Sequence, residues 1–146
     1  MTQTPSQTVG PFFHFSLCDR RANELGEGGT RLFGRVFDGA GEPVDDALVE
    51  LWQPEIGFGR CATDAGGEFE FTVAAPADRR FEVMVFARGL LRHLVTRVYF
   101  PGADDPFLAS LDERARSTLV AEAEADGSLR FDIHLQGERE TVFFAV

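Results

Sequence analysis

The chain has 146 residues, of which 24 are acidic and 14 are basic, so its formal net charge at pH 7 is −10. This length corresponds to one domain of roughly 100–200 residues, and a domain of that size can fold without a disulfide or a metal. The negative charge argues against nucleic-acid binding, because affinity for a phosphate backbone depends on clustered cations. All 14 basic residues are arginine, which excludes catalysis through a lysine Schiff base.

The chain shows no sign of export or of membrane insertion. Residues 1–8 lack the cationic region and the apolar core of a secretory signal. The apolar runs are far shorter than the ~20 residues that span a bilayer. Cys18 and Cys61 form no CxxC motif, and an isolated pair of this kind is typical of two thiols in a reducing compartment. We therefore expect a cytoplasmic protein.

Residues 1–30 lack a regular hydrophobic period. Two prolines and the glycine-rich segment Gly26–Gly29 enclose the short apolar run Phe12–Phe15. Polar ends around an apolar middle predict an N-terminal arm over residues 1–30, followed by a sandwich domain over residues 31–146. The arm packs either on its own domain or on a partner, and the sequence leaves both open.

From residue 31 the hydrophobic period is two, which is typical of strands. Turn signals such as Asp38-Gly39 and Asp64–Gly67 separate the segments. The predicted strands cover residues 31–37, 47–52, 69–73, 81–86, 93–100, 129–135 and 141–144. Many short strands with turns between them predict an all-β fold, an antiparallel β-sandwich.

One segment, Asp105–Arg116, favours a short helix. Asp105 can cap it, Pro106 suits the first helical position, and the apolar residues share one face. We expect this helix to be interrupted near Asp112.

The three histidines offer little support for a metal site. A non-haem iron or zinc site needs at least three convergent ligands, and no two of His14, His93 and His134 have HxH or HxxxH spacing. His134 shares its strand face with Arg130 and Asp132, where a solvated or hydrogen-bonded role is favoured. For each histidine a structural role is the favoured interpretation, so a metal site on this chain is improbable.

Nucleophilic catalysis is supported no better. There is no GxSxG motif, and neither cysteine has a histidine near it in the sequence. Arg60 could lower the pKa of the Cys61 thiol, but a buried strand thiol is the favoured interpretation. The pairs Asp45-Asp46 and Asp104-Asp105 lie in turn-like contexts, where aspartate commonly accepts hydrogen bonds from the backbone.

Arg88 stands between two apolar stretches, Val83–Ala87 and Gly89–Leu91. A buried guanidinium there would need an anion or other acceptors. From spacing alone, the favoured interpretation is an arginine at a strand end with its stem packed and its head in water.

Several segments resemble a known family when taken together. The sequence TPSQTVGPF near the N-terminus is similar to the start of the alpha chain in the protocatechuate-cleaving members of the intradiol ring-cleavage dioxygenase family. The most specific segments are Thr4–Phe12, Phe86–Gly89 and Gln136–Phe144. Further similar segments occur in the same order at residues 34–39, 50–53, 58–64, 96–100 and 131–133. The resemblance covers nearly the whole chain.

The resemblance implies a prealbumin-like β-sandwich in a heteromer of homologous alpha and beta chains. It also implies that the beta chain holds the Fe(III), with two tyrosines and two histidines. In this chain the loop that would bear one tyrosine is nearly absent after Gln53, and Ala74–Ala77 stand where the second tyrosine is expected. Arg80 and Glu82 stand opposite the histidine pair, and Tyr99 matches a strand tyrosine that is no ligand. We therefore expect no cofactor on this chain.

By the same resemblance, Thr8, Gly10, Pro11 and Arg88 would border the substrate cleft above the partner's iron. The substrate class would be protocatechuate, cleaved with O₂, and the Arg88 guanidinium would bind its carboxylate. No nucleic acid and no membrane are expected as partners.

Two alternatives stay open at this point. The segment Asp38–Trp52 also resembles many prealbumin-like sandwiches, which fits a free-standing binding or structural module without an enzymatic partner. A degenerate iron site that uses Glu82 and His134 is a third, less favoured hypothesis.

Overall fold

The computed structural model describes Pro5, Gly10, Phe13, Leu17, Cys18 and residues 21–145. These residues form ten strands and two short helices in chain order. The strands are β1 (Glu24–Leu25), β2 (Thr30–Phe37), β3 (Leu48–Gln53), β4 (Gly57–Ala62), β5 (Glu68–Val73), β6 (Arg80–Phe86), β7 (Leu94–Tyr99), β8 (Glu122–Ala123), β9 (Leu129–Arg130) and β10 (Ile133–His134). The helices are α1 (Pro106–Ser110) and α2 (Glu113–Ser117).

The strands form two sheets, which confirms the predicted β-sandwich. One sheet has the order β1-β5-β2-β9-β8, with β10 paired to β2, and the other has the order β4-β3-β6-β7. The four-stranded sheet is antiparallel throughout. The larger sheet also contains three parallel pairings, in which β1 pairs with β5 and both β9 and β10 pair with β2.

The core lies between the two sheets, and burial alternates along β5 and β6. In β3, Leu48 to Leu51 are all buried. In β6, Val83 and Val85 are fully buried while Glu82 and Met84 are partly exposed. Such alternation places one apolar face of each sheet against the other. A smaller cluster around Tyr99 joins the α1–α2 region to the end of β7.

The predicted helix is found as two helices, broken where the sequence indicates. The Asp105 side chain accepts hydrogen bonds from the backbone N–H groups of Phe107 and Leu108 and thereby caps α1. The Asp112 side chain accepts one from Ala115 and caps α2. A second N-cap inside the segment is the reason that a single helix cannot continue through it.

The strand predictions differ from the structure at several points, and the short strands β1 and β8 were not predicted. The predicted strand 129–135 is split into β9 and β10, and the predicted strand 141–144 is reduced to an isolated bridge between Phe144 and Val95. Strand β4 was not predicted, because the glycines at 57 and 59 weaken its strand pattern. No helix among the described residues is long and apolar enough to cross a membrane.

Candidate functional site

Arg88 lies in a tight turn directly after β6. The Leu90 N–H donates to the Ala87 carbonyl, and Gly89 has a φ of +86°. A β-turn with a positive φ at its third residue favours glycine at that position. Gly89 therefore allows the turn in which Arg88 lies at the end of the sheet. The Arg88 side chain is 60% exposed.

The anion that faces Arg88 comes from a distant part of the sequence. The Arg88 Nε donates to Oδ2 of Asp46, whose side chain is only 12% exposed. The strand register explains the encounter, because Leu48 of β3 pairs with Phe86 of β6. In this antiparallel ladder the second residue before Leu48 stands beside the second residue after Phe86.

The turn that bears Asp46 is held in place by a buried threonine. The Thr63 hydroxyl donates to the Val44 carbonyl and accepts from the Ala47 N–H. Thr63 is 5% exposed, so these bonds are shielded from water. Asp46 is therefore a fixed acceptor, and its bond to Nε sets the plane of the Arg88 guanidinium. Within the described part of the chain, the terminal nitrogens of Arg88 have no protein acceptor.

The other predicted site residues lie in the N-terminal arm. Gly10 is exposed, its carbonyl accepts from the Phe13 N–H at 3.5 Å, and a side chain at Gly10 would meet no other atom. Thr8 and Pro11 lie outside the described residues. Arg60 of the four-stranded sheet holds the arm at two points, since its side chain donates to the Leu17 carbonyl at 3.5 Å and its backbone N–H donates to the Ala22 carbonyl at 2.8 Å.

A second group of charges surrounds the opposite end of β6. Arg80 contacts Asp105 at 2.5 Å and Asp78 at 3.1 Å, and Arg97 contacts Glu82 at 2.8 Å. The register of β6 and β7 sets Glu82 directly beside Arg97. The Arg97 guanidinium also lies 4.9 Å from the centre of the Phe144 ring, and a cation over an aromatic face is favourable.

Asp105 joins this network to helix α1. Its Oδ1 accepts from the α1 backbone, while its Oδ2 accepts from Arg80 and from the hydroxyl of the fully buried Tyr99. Burial works to raise the pKa of Asp105, but the hydrogen bonds from Phe107, Leu108, Arg80 and Tyr99 outweigh it and lower the pKa below its ordinary value. The network is thus internally satisfied.

The residues at this end do not fit an iron centre. Arg80 and Glu82, which stand opposite the expected histidine pair, are both committed to ion pairs. Among the described residues no three His, Cys, Asp or Glu side chains come together in a way that could hold a metal. Glu82 and His134 lie on different sheets, which does not support the hypothesis of a degenerate site built on them.

The remaining candidates have structural surroundings. The His134 ring stacks on Phe37 with the ring centres 4.8 Å apart. Cys61 lies on β4 against the core, and burial raises the pKa of its thiol, as expected for a strand thiol. Sequence reasoning missed Asp46, which it assigned only to a turn, because nothing in the local pattern shows a partner 42 positions away.

Comparisons with known proteins give a consistent result. The chain is 34% identical to the protocatechuate 3,4-dioxygenase alpha chain of Burkholderia cepacia, with 100% of this chain and 98% of the relative covered. It is also 34% identical to the corresponding alpha chain of Pseudomonas putida, with 99% and 96% covered. It is 28% identical to a protocatechuate 3,4-dioxygenase beta chain of Burkholderia cepacia, with 93% and 77% covered. The first alignment spans 194 positions, so that relative has segments that this 146-residue chain lacks.

Solved structures show the same fold. The dioxygenase domain of a dioxygenase carbohydrate-binding protein fusion from Streptomyces sp. SirexAA-E matches with a TM-score of 0.61 at 22% identity, covering 92% of this chain and 99% of that one. Hydroxyquinol 1,2-dioxygenase from Pseudomonas putida DLL-E4 matches with a TM-score of 0.58 at 22% identity, covering 94% and 68%. No protein-family model matches the chain.

Proposed function

Because the chain belongs to the family of protocatechuate 3,4-dioxygenase alpha chains, we propose that it is the subunit that completes the substrate pocket of an iron-bearing beta chain. The single observation on which this depends is the geometry of Arg88. An exposed guanidinium, fixed through Nε by a buried carboxylate, offers its terminal nitrogens to an external anion.

The two ends of β6 support a division of labour between this chain and a beta chain. The end at Arg80 and Glu82 is filled by ion pairs and does not suit a metal. The Fe(III) would therefore be ligated by the beta chain and supply the redox chemistry with O₂ there. The similarity of this chain to a beta chain supports a heteromer of two homologous sandwiches.

The proposed contribution of this chain is to bind and orient the substrate. Protocatechuate has one carboxylate, and a guanidinium can bind a carboxylate through two parallel hydrogen bonds. A charge-assisted hydrogen bond of this kind contributes about 1.5–3 kcal/mol. Holding the ring in one orientation favours cleavage between its two hydroxyl-bearing carbons, which gives 3-carboxy-cis,cis-muconate.

The N-terminal arm would form the rest of the border. We assign this role to Thr8, Gly10 and Pro11 from the family resemblance of the segment that contains them. The contact between Arg60 and the Leu17 carbonyl supports an arm that leaves the four-stranded sheet at a defined point. We also propose that the assembled enzyme is cytoplasmic.

The test uses the complex of this chain with its beta chain. Arg88→Ala is expected to raise the KM for protocatechuate about tenfold, which corresponds to about 1.4 kcal/mol. Affinity for catechol, which lacks the carboxylate, should stay unchanged. Arg31→Ala is the matched control, because Arg31 is an exposed, carboxylate-paired arginine on the other sheet.

Two results would contradict the proposal. A KM within twofold of the parent value for Arg88→Ala would remove Arg88 from the pocket. A chain that stays alone and colourless when it is co-expressed with a protocatechuate 3,4-dioxygenase beta chain would favour the free-standing module. A coloured complex that contains both chains and iron would support the subunit.

A further inference from the structure

A cleft of about 230 Å³ lies on the six-stranded side of the molecule, away from Arg88. Its walls are helix α2, strands β9 and β10, and the loop that follows β10. Three arginines from these three walls face it, and we call it the arginine cleft: Arg114, Arg130 and Arg139. Val120, which is partly exposed, and Phe131, which is buried in the core, also line it.

The charges in the arginine cleft do not balance. Its two carboxylates both lie near one arginine, since Arg130 is 3.0 Å from Glu122 and 3.8 Å from Asp132. Arg114 donates to the Glu138 carbonyl, which has no formal charge. Arg139 has no hydrogen bond or ion pair within the part of the chain that the structure describes. Two guanidinium groups are therefore left without a carboxylate.

This imbalance is unusual in so acidic a chain. Acids outnumber bases by 24 to 14, and most of the described arginines outside this cleft have a carboxylate partner within 4.0 Å. Two unneutralised arginines that face one concave surface favour an anion from outside the chain.

The positive charge of the arginine cleft also affects the pKa of His134. Burial against Phe37 and then the nearby charge of Arg139 lower the pKa of its imidazole, while Asp132 opposes them. The hydroxyls at the cleft are committed to the backbone: Ser117 donates to the Arg114 carbonyl, and Thr118 donates to the Ala115 carbonyl. The third hydroxyl, of the buried Thr141, accepts from the His134 N–H. The guanidinium groups and the imidazole are therefore the charged or ionisable groups at the cleft that suit an anion.

We propose that the arginine cleft binds a small organic anion with two or more carboxylates. Two arginines from different walls suit two separated carboxylates, each able to accept paired hydrogen bonds. The partly exposed side chain of Val120 suits a carbon body between them, which inorganic phosphate does not have. The ring-opened product of the proposed reaction is such an anion, and only this identification of the ligand rests on the proposed function.

The test is calorimetric titration of the full-length chain with adipate, benzoate and inorganic phosphate. Adipate is expected to bind with a dissociation constant on the order of 1 mM or tighter. Arg139→Gln and Arg114→Gln should each weaken it by about tenfold. Arg31→Gln is the matched control for the change in net charge and should bind as the parent does. Bound adipate should also raise the pKa of His134, measured by NMR, because an anion stabilises the imidazolium form.

Several outcomes would overturn the proposal. They are no adipate binding up to about 10 mM, equal binding by Arg139→Gln and the parent, and binding of phosphate or benzoate as tight as that of adipate. The adipate titration is made on this chain alone, whereas the role of Arg88 is tested by the KM of the assembled enzyme for protocatechuate, so a failure of one proposal is separate from a failure of the other.

Discussion

Strand β6 has an arginine–aspartate pair at each end, and the two pairs differ in how exposed the arginine is. At its start, Arg80 and Asp105 are both largely shielded, with side chains 33% and 11% exposed. Just past its end, Asp46 is buried while Arg88 is 60% exposed. The first pair is closed by Tyr99 and helix α1. The second is open on the side of the arginine.

This difference separates a structural pair from a binding pair. A buried ion pair is stable only if its remaining donors and acceptors are satisfied, and the Asp105 end meets that condition with four donors. An exposed arginine held by one buried acid has little effect on stability but keeps free donors in a fixed orientation. We therefore expect substitutions at the first end to affect folding, and substitutions at the second to affect substrate affinity.

The largest expected effect is the loss of the Asp105 side chain. Asp105→Ala removes the α1 cap and leaves Arg80 and Tyr99 without their shared acceptor, so we expect a loss of about 2–4 kcal/mol in the free energy of unfolding. Urea unfolding of the full chain measures it. Asp112→Ala removes only the α2 cap from an exposed position and should cost about 1 kcal/mol. Equal losses in the two variants would show that the closed network adds nothing beyond the cap.

Asp46→Asn probes the open end in the assembled enzyme. The amide is neutral and holds the Arg88 Nε less firmly, so we expect the KM for protocatechuate to rise about threefold to fivefold, or about 0.7–1 kcal/mol. The turnover number and the unfolding midpoint should change little. Arg88→Ala in the same background should add less than it does in the parent, because the two residues act together. Additive effects would show that Asp46 does not position Arg88.

The smallest effect is the pH dependence of the closed end. Because the pKa of Asp105 is lowered in the folded state, its stabilisation is present above the unfolded pKa of about 3.9 and is lost as the pH falls through the lower folded value. Unfolding of Asp105→Asn followed from pH 5 down to pH 2 should show a flatter loss of stability than the parent. Parallel curves would mean that other carboxylates determine the loss of stability at low pH.

The sequence predicts those parts of the fold that depend on local pattern. Alternation locates most of the long strands, and the capping residues Asp105 and Asp112 locate both helix starts. The split between β9 and β10 has a tertiary cause. The Asp132 side chain accepts from the Arg35 N–H, and the Phe131 carbonyl lies where a side chain at Gly34 would be.

Strand β4 is a second element whose cause is tertiary, because its glycine is required by close packing. A Cβ atom at Gly59 would lie 2.3 Å from Leu25 and 2.9 Å from the Ala22 carbonyl. The glycine that weakens the strand pattern is therefore the residue that lets β1 approach. Only the folded arrangement shows this reason.

The candidate site also has residues that the sequence indicates and partners that only the fold brings together. The family resemblance selects Arg88, and the empty ligand positions at Arg80 and Glu82 are visible in the sequence. Asp46 becomes a partner only through the register of β3 and β6, and Arg139 becomes a free cation only when the pairs of the other arginines are known. Pairings across many residues depend on register, which a single sequence does not contain.

The chain's one tryptophan gives it a built-in fluorescent reporter. Trp52 is 43% exposed on the outer face of β3, beside the equally exposed Phe58. A subunit that covers this face would move the indole from water into an apolar setting and shift its emission to shorter wavelengths. Mixing this chain with a tryptophan-free beta chain would then give the assembly rate and its stoichiometry without any added label.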